Sequence, residues 1–194
     1  TENLYIIPKV DFRDMFIEKA TFQRQLALIA SHRFHVLPLQ EALAQLSCQT
    51  LDSNSVVITI DDGLAGTYKI AAPLLESFGF PATIYINTHH VHSDTPVFRL
   101  VVYYMFEYTP VRTLSIRHRR WAEDQDVDLS DREASRRVMW NCIAYGENTC
   151  TEAQREEVCR DLGQLMDMDY ESIKQSRILS LMNPAEIEDL ARRG

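Results

Sequence analysis

Two adjacent acidic residues at the end of an apolar run are the part of this sequence best suited to chemistry. Asp61 and Asp62 directly follow the β-favouring run 56–60 and precede Gly63. A continuous apolar run of this kind is typical of a strand buried on both faces in a parallel sheet. Neighbouring carboxylates leave the chain in opposite senses, so one can bind a cation while the other accepts a proton. The same three residues also suit an ordinary turn, and the tripeptide alone leaves both interpretations open.

The flanking sequence predicts a β-α-β unit that places the two acids at the carboxyl edge of a parallel sheet. A helix is expected over about 67–78, with Gly79 as its left-handed stop and Pro73 shifting its start or kinking it. The apolar run 82–86 follows Pro81 and predicts the next strand. Because α/β folds place active sites at the carboxyl ends of parallel strands, the acids are expected to face a ligand.

Shorter signals predict the elements on either side of this unit. Upstream, Thr21 is expected to cap a first helix, 35–37 to form a short strand, and 40–46 to form a second helix. Downstream, 111–118 has the pattern of an exposed strand. Two capped helices follow it, opening at Ser130 with Glu133 and at Thr151 with Gln154, and a last one opens at Asn183-Pro184-Ala185-Glu186.

The order of these segments resembles the N-terminal part of the polysaccharide deacetylase superfamily (carbohydrate esterase family 4). The first motif of that family is Thr-Phe-Asp-Asp-Gly, and this chain has Thr59-Ile60-Asp61-Asp62-Gly63. The likeness extends to 21–46 before the motif, to 72–88 after it and to 183–194. The matched segments occur in the family's order and make up roughly half of the chain.

The resemblance implies an α/β fold, an incomplete (β/α) barrel of the polysaccharide deacetylase type with a mostly helical insertion. Residues 1–94 would form the N-terminal part of the barrel, 95–180 the helical insertion, and 181–194 a helix returning to the barrel. The implied function is metal-dependent hydrolysis of N-acetyl groups on a carbohydrate or polysaccharide. Asp61 would be the general base and Asp62 a ligand of a divalent metal, zinc or a similar ion, which polarises the acetyl carbonyl and activates water.

The chain departs from the family pattern after its last helix. The second motif, His-Ser/Thr-x-x-His, would follow Gly194 and supply two further metal ligands, so the chain is expected to be truncated before it and inactive as a fragment. His89 and His92 are weaker candidates for metal ligands, because their spacing differs from the motif and they follow another strand.

The alternative is a non-catalytic carbohydrate-binding or interaction module on the same scaffold, without metal. A nucleotide-sugar transferase is less favoured, because no glycine-rich phosphate loop accompanies the acids.

Composition narrows the possible partners. The net charge of −8 argues against nucleic acid or an anionic membrane surface, and a carbohydrate substrate remains the expected partner. A second chain, or a second copy of this one, is expected to cover the open edge of the barrel. No stretch approaches the ~18 apolar residues of a transmembrane helix, and no leader sequence is present, which favours the cytoplasm. The four cysteines form no CxxC pair and are expected to be free thiols.

Aromatic residues and arginines each cluster in the sequence, and each cluster could serve either the fold or ligand binding. The cluster Tyr103, Tyr104, Phe106 and Tyr108 is expected to belong to the core rather than to a sugar-stacking surface. Trp121 and Trp140 are candidates for sugar stacking only if they are exposed. Arginines concentrate near 117–120 and 132–137, where solvated faces are expected.

Overall fold

The computed structural model describes residues 4–6, 16–88, 91 and 95–193. The chain divides into two compact units, which we call unit 1 (Thr1–Ser93 with Leu181–Gly194) and unit 2 (Asp94–Ser180). Within the described residues, the strands pair as four two-stranded sheets and do not close into a barrel.

The helices and strands follow one another in this order: β1 Leu4–Ile6, β2 Phe16–Glu18, α1 Lys19–Ser31, β3 His35–Val36, α2 Leu39–Ser47, β4 Ser55–Val56, β5 Thr59–Ile60, a π-helical turn Thr67–Ala71, α3 Ala72–Phe78, β6 Thr83–Ile84, α4 Phe98–Tyr108, β7 Thr113–Ile116, β8 Gln125–Asp128, α5 Arg132–Thr149, α6 Glu152–Leu165, α7 Tyr170–Ser176 and α8 Pro184–Arg193. None of the helices in the described ranges combines the length and the apolar character that crossing a bilayer requires.

Unit 1 contains the predicted parallel β-α-β unit. Strand β5 pairs in parallel with β6, with Thr59 opposite Thr83 and Ile60 opposite Ile84. Strand β3 pairs in parallel with β4, and β1 pairs antiparallel with β2. The predicted single strand over 56–60 is therefore divided between two short ladders with different partners. The parallel arrangement around the acids is confirmed at the level of this strand pair.

The prediction that both faces of the strand are buried is wrong for the described residues. Ile58 and Ile60 pack on a small core built around Leu26, Leu74 and Leu75. Thr59, which alternates with them, is exposed. Since successive side chains of a strand point to opposite faces, α1 and α3 cover one face and leave the other open.

The helix after the acids begins as the proline requires. Residues 67–71 form a π-helical turn, and the regular helix α3 starts only at Ala72, so that Pro73 lies in its first turn. Proline is tolerated there because the first N–H groups of a helix have no intrahelical acceptor. Gly79 ends α3 in the left-handed conformation, with φ of 65°. Both features were predicted from the sequence.

The first helix begins earlier than its predicted cap. Helix α1 starts at Lys19, directly after β2, and Glu18 occupies the cap position without a side-chain hydrogen bond. Thr21 lies inside the first turn, where its Oγ1 accepts a hydrogen bond from Arg24 at 2.8 Å. The cap prediction for Thr21 is therefore wrong, because the strand leads straight into the helix.

Unit 2 is mainly helical and also contains the antiparallel hairpin β7–β8. The predicted strand over 111–118 forms at Thr113–Ile116, but Leu114 and Ile116 on one of its faces are fully buried. Tyr103 and Tyr104 belong to the core, as predicted, whereas Tyr108 is 43% exposed.

The helix caps of unit 2 test the capping predictions directly. The capping box of Thr151 and Gln154 opens α6 and is confirmed. The cap of α5 is Asp131, whose side chain accepts hydrogen bonds from the backbone of Glu133 and Ala134, so the prediction for Ser130 is wrong by one residue. The hydroxyl of Ser130 donates instead to an Asp128 carboxylate oxygen at 2.6 Å.

Candidate functional site

The two candidate acids lie on a tight turn at the carboxyl end of β5. Both side chains are exposed. Asp62 and Gly63 have left-handed backbones, with φ of 64° and 67°, and the N–H of Gly63 donates to the carbonyl of Asp61 at 2.8 Å. Aspartate adopts this conformation more readily than most residues, whereas glycine adopts it without steric cost. The chain therefore turns away from the sheet immediately after Asp61.

Asp61 falls on the open face of the β5–β6 pair. By the two-residue alternation of a strand, Asp61 continues the side of Thr59, opposite to the partly buried Ile60. The register places Thr59 opposite Thr83, so Tyr85 on the neighbouring strand lies on this side too, and it is 51% exposed. A carboxylate, a hydroxyl and a phenol thus share one solvent-accessible face at the carboxyl edge of parallel strands.

Gly63 is favoured by its left-handed conformation, and a side chain at this position would also require the tip of Ile86 to shift. A Cβ atom added to Gly63 would lie 2.7 Å from Cδ1 of Ile86 and 3.3 Å from Cε of Met182. The first distance is far below van der Waals contact. Gly63 therefore allows the turn that carries the acids to pack closely against two neighbouring segments of unit 1.

The segment at 181–183 docks on this turn and starts the last helix. Leu181 forms an isolated antiparallel bridge with Leu64, and the N–H of Met182 donates to the carbonyl of Gly63 at 2.8 Å. Asn183 and Glu186 then form a reciprocal capping box, with both hydrogen bonds at 2.9 Å. The predicted start of α8 is confirmed, and it lies beside the turn that carries Asp61 and Asp62.

A polar network holds α8 against the π-helical turn and α3. The Tyr68 hydroxyl donates to Asp189 at 3.0 Å, and Arg193 donates to Asp189 at 3.0 Å and to Glu76 at 2.9 Å. Hydrogen bonds from Arg193 and Tyr68 lower the pKa of Asp189, and the bond to Asp189 raises the pKa of Tyr68. This network was not predicted from the sequence. Its only local signal is the i,i+4 spacing of Asp189 and Arg193.

The candidate metal ligands do not form a complete site within the described residues. His89 and His92 lie outside the described residues. Among the residues that are described, no group of three or more His, Cys, Asp or Glu side chains is placed to hold a metal ion. A catalytic zinc site usually has three protein ligands, so Asp61 and Asp62 do not by themselves fit a divalent ion.

The cysteines do not form a reactive centre. All four are free thiols: Cys48, Cys142, Cys150 and Cys159. Burial raises the pKa of the Cys159 thiol to about 12 and raises that of Cys142 even further. Since the thiolate is the nucleophilic and metal-binding form, these two thiols in α5 and α6 behave as small core residues.

The two tryptophans differ in exposure. Trp121 is only 5% exposed, whereas Trp140 is 42% exposed. The Trp140 ring packs edge-on against Tyr103 with centroids 5.6 Å apart, and the Arg99 guanidinium lies 5.7 Å from its centre. Trp140 alone meets the exposure condition for a sugar-stacking residue, and one side of its ring already has a cationic neighbour.

Comparisons of this chain with protein-family models, with curated proteins and with solved structures gave no match. The geometry around Asp61 and Asp62, and the resemblance of the motif that contains them, are therefore the only guides to function.

Proposed function

We propose that this chain carries part of the active site of a carbohydrate N-deacetylase, on an incomplete (β/α) barrel of the polysaccharide deacetylase type. Asp61 is the general base, and Asp62 is one ligand of a divalent metal ion. The observation that carries the proposal is the position of Asp61, on the open face at the carboxyl end of the parallel pair β5–β6.

The open face supports a role in ligand binding. Helices α1 and α3 partly bury Ile58 and Ile60, while Thr59 and Tyr85 remain accessible on the other side. In a (β/α) barrel, helices cover the outer face of the strands, and the carboxyl ends carry the catalytic residues.

The rigidity of the turn also supports the proposal. Gly63 packs against Ile86, and the backbone of Met182 is hydrogen-bonded to the carbonyl of Gly63. These contacts place the start of α8 beside the acids. The family resemblance assigns to α8 the role of leading into the motif that supplies the other ligands. The arrangement therefore agrees with the order of motifs on which the resemblance is based.

The chemistry assigned to this chain is limited to its own two carboxylates. Asp61 accepts a proton from the water that attacks the carbonyl carbon of an N-acetyl group. As the C–N bond breaks, the nitrogen takes that proton back from Asp61, which leaves an amine on the sugar and releases acetic acid, present as acetate at neutral pH. Because the described residues do not complete a metal site, Asp62 is assigned as a ligand only, and no step is derived for the ion.

A non-catalytic carbohydrate-binding module on the same scaffold is the second candidate. Two observations favour it: both acids are exposed, and the described residues provide no third metal ligand beside them. This candidate shares the scaffold and the open face with the first. It differs in predicting sugar binding without acetate release.

The deciding experiment measures acetate released from N-acetylglucosamine oligomers, with added zinc, by the protein expressed together with any sequence that follows Gly194 in its reading frame. We expect release that falls by about 100-fold or more in Asp61→Asn, because this change removes a general base with little change in volume. Asp62→Asn should weaken zinc binding in calorimetry. Asp52→Asn is the matched control, because Asp52 is an exposed acid of unit 1 on another loop, and it should behave as wild type.

The other outcomes separate the two candidates. Sugar binding without acetate release, unchanged in Asp61→Asn, would favour the binding module. Acetate release that survives in Asp61→Asn would overturn the assignment of the base. Neither binding nor release would overturn both proposals.

A further inference from the structure

Unit 2 contains a cleft whose lining does not include the turn that carries Asp61 and Asp62, which we call the acid turn. It lies between the segment joining β7 to β8 and one face of α5, and its volume is about 670 Å³. The polar and aromatic residues that line it are Arg120, Trp121, Glu123, Gln125, Arg137 and Asn141. Arg137 and Asn141 are four residues apart on α5, so they project from the same face of that helix.

The two arginines of the cleft differ from their neighbours in having no carboxylate partner. Arg117 pairs with Asp126 at 2.8 Å, and Arg119 pairs with Asp161 at 2.5 Å. Arg120 and Arg137 are exposed, and neither forms an ion pair with any residue that the structure describes. In a chain with a net charge of −8, two such arginines lining one cleft provide a local site for an anion.

The rest of the lining suits a polar ring-shaped molecule. Gln125 and Asn141 each offer both donors and acceptors, and Glu123 offers acceptors for hydroxyl groups. Trp121 also lines the cleft but is only 5% exposed, and its Nε1–H is buried without a hydrogen-bond partner among the described residues. A cleft with a few convergent polar side chains is typical of sites that bind small polar ligands.

We propose that this cleft binds an acidic sugar of the uronic acid class. Arg120 and Arg137 bind its carboxylate through charge-assisted hydrogen bonds, for which the planar guanidinium is well suited. Gln125, Asn141 and Glu123 bind its hydroxyl groups. The proposal depends on unit 2 alone and is independent of any role for Asp61 and Asp62.

The test is a titration of ¹⁵N-labelled protein with glucuronate, followed by NMR, with the indole N–H of Trp121 as the reporter. We expect saturable shifts that include this resonance. Arg120→Gln and Arg137→Gln should each weaken binding by about tenfold, the usual effect of losing one charge-assisted contact. Arg132→Gln is the matched control, because Arg132 is an exposed arginine of α5 outside the cleft.

Comparison ligands decide whether the sugar and its carboxylate are both recognised. Glucose, which lacks the carboxylate, should bind at least about tenfold more weakly than glucuronate. The proposal is overturned if glucose binds equally well, if inorganic phosphate binds as tightly as glucuronate, or if no shifts occur in the millimolar range. Equal weakening by Arg132→Gln would also overturn it. Asp61→Asn should bind glucuronate as wild type does, so this result is separate from the deacetylase test.

Discussion

Unit 1 and unit 2 bury their apolar side chains to very different extents. In unit 2, large side chains of α4, the hairpin and α6 are completely shielded from solvent, among them Met105, Leu114, Ile116 and Leu162. In unit 1, the described helices α1 and α2 leave leucines in solvent: Leu28 at 59%, Leu43 at 53% and Leu46 at 59% exposed.

This difference shows that the two candidate sites are held in place by different interactions. The cleft of unit 2 is built on elements with a dense core beneath them. The acid turn of unit 1 is positioned mainly by backbone conformation, by the close approach at Gly63 and by hydrogen bonds to 181–183. Substitutions of the exposed leucines of α1 and α2 should therefore cost little, whereas substitutions of buried leucines in unit 2 and of the backbone of the turn at 61–63 should cost more.

The largest expected effect is from removing a buried side chain in unit 2. Leu162→Ala should lower the free energy of unfolding by about 2–5 kcal/mol, because it leaves a cavity at a fully buried position of α6. The same change at the exposed Leu43 of α2 should cost less than about 0.5 kcal/mol. Urea unfolding followed by circular dichroism measures both. Similar losses for the two variants would contradict the difference in burial between these two positions.

A smaller loss in the free energy of unfolding is expected from substituting two glycines of unit 1, both of which have a left-handed backbone. Gly79→Ala should lose about 1–2 kcal/mol, since an added Cβ meets nothing within 4 Å and only the conformational cost remains. Gly63→Ala should lose slightly more, because the tip of the Ile86 side chain must shift to make room for the added Cβ. The same unfolding measurement applies. Equal losses would show that the packing against Ile86 does not contribute to holding the acid turn.

These comparisons also show which features could be predicted from the sequence. Local signals were sufficient where neighbouring residues decide the structure: the left-handed stop at Gly79 and the capping boxes opening α6 and α8 are examples. The parallel pairing of β5 with β6 followed from two apolar runs joined by one helix. At each of these places, the interacting groups are close in sequence or obey a strong topological rule.

Other features depend on partners that are distant in sequence, and these were missed. The exposure of Thr59 depends on which face α1 and α3 cover, which an apolar run alone does not specify. Arg120 and Arg137 form one cleft only because the hairpin connection folds beside α5. Neither arginine carries a local signal that distinguishes it from the paired Arg117.

The smallest expected effect concerns the network that holds α8, and it depends on pH. Hydrogen bonds from Arg193 and Tyr68 lower the pKa of Asp189 in the folded state. A carboxyl with a lowered pKa stabilises the folded state at pH values above its unfolded pKa, about 3.9. That stabilisation is lost as the pH falls through the folded pKa, because both states then bind the proton.

Asp189→Asn should therefore be slightly less stable than wild type at neutral pH, and the difference should disappear in acid. Urea unfolding of both proteins at a series of pH values measures this convergence. Glu188→Gln is the matched control, because Glu188 is the exposed neighbour of Asp189 on α8 and should show no such pattern. A difference that persists below the folded pKa of Asp189 would mean that the shape of the side chain, and not its charge, holds α8 in place. The polar network would then position the start of α8 beside the acid turn without the pH dependence that its charges imply.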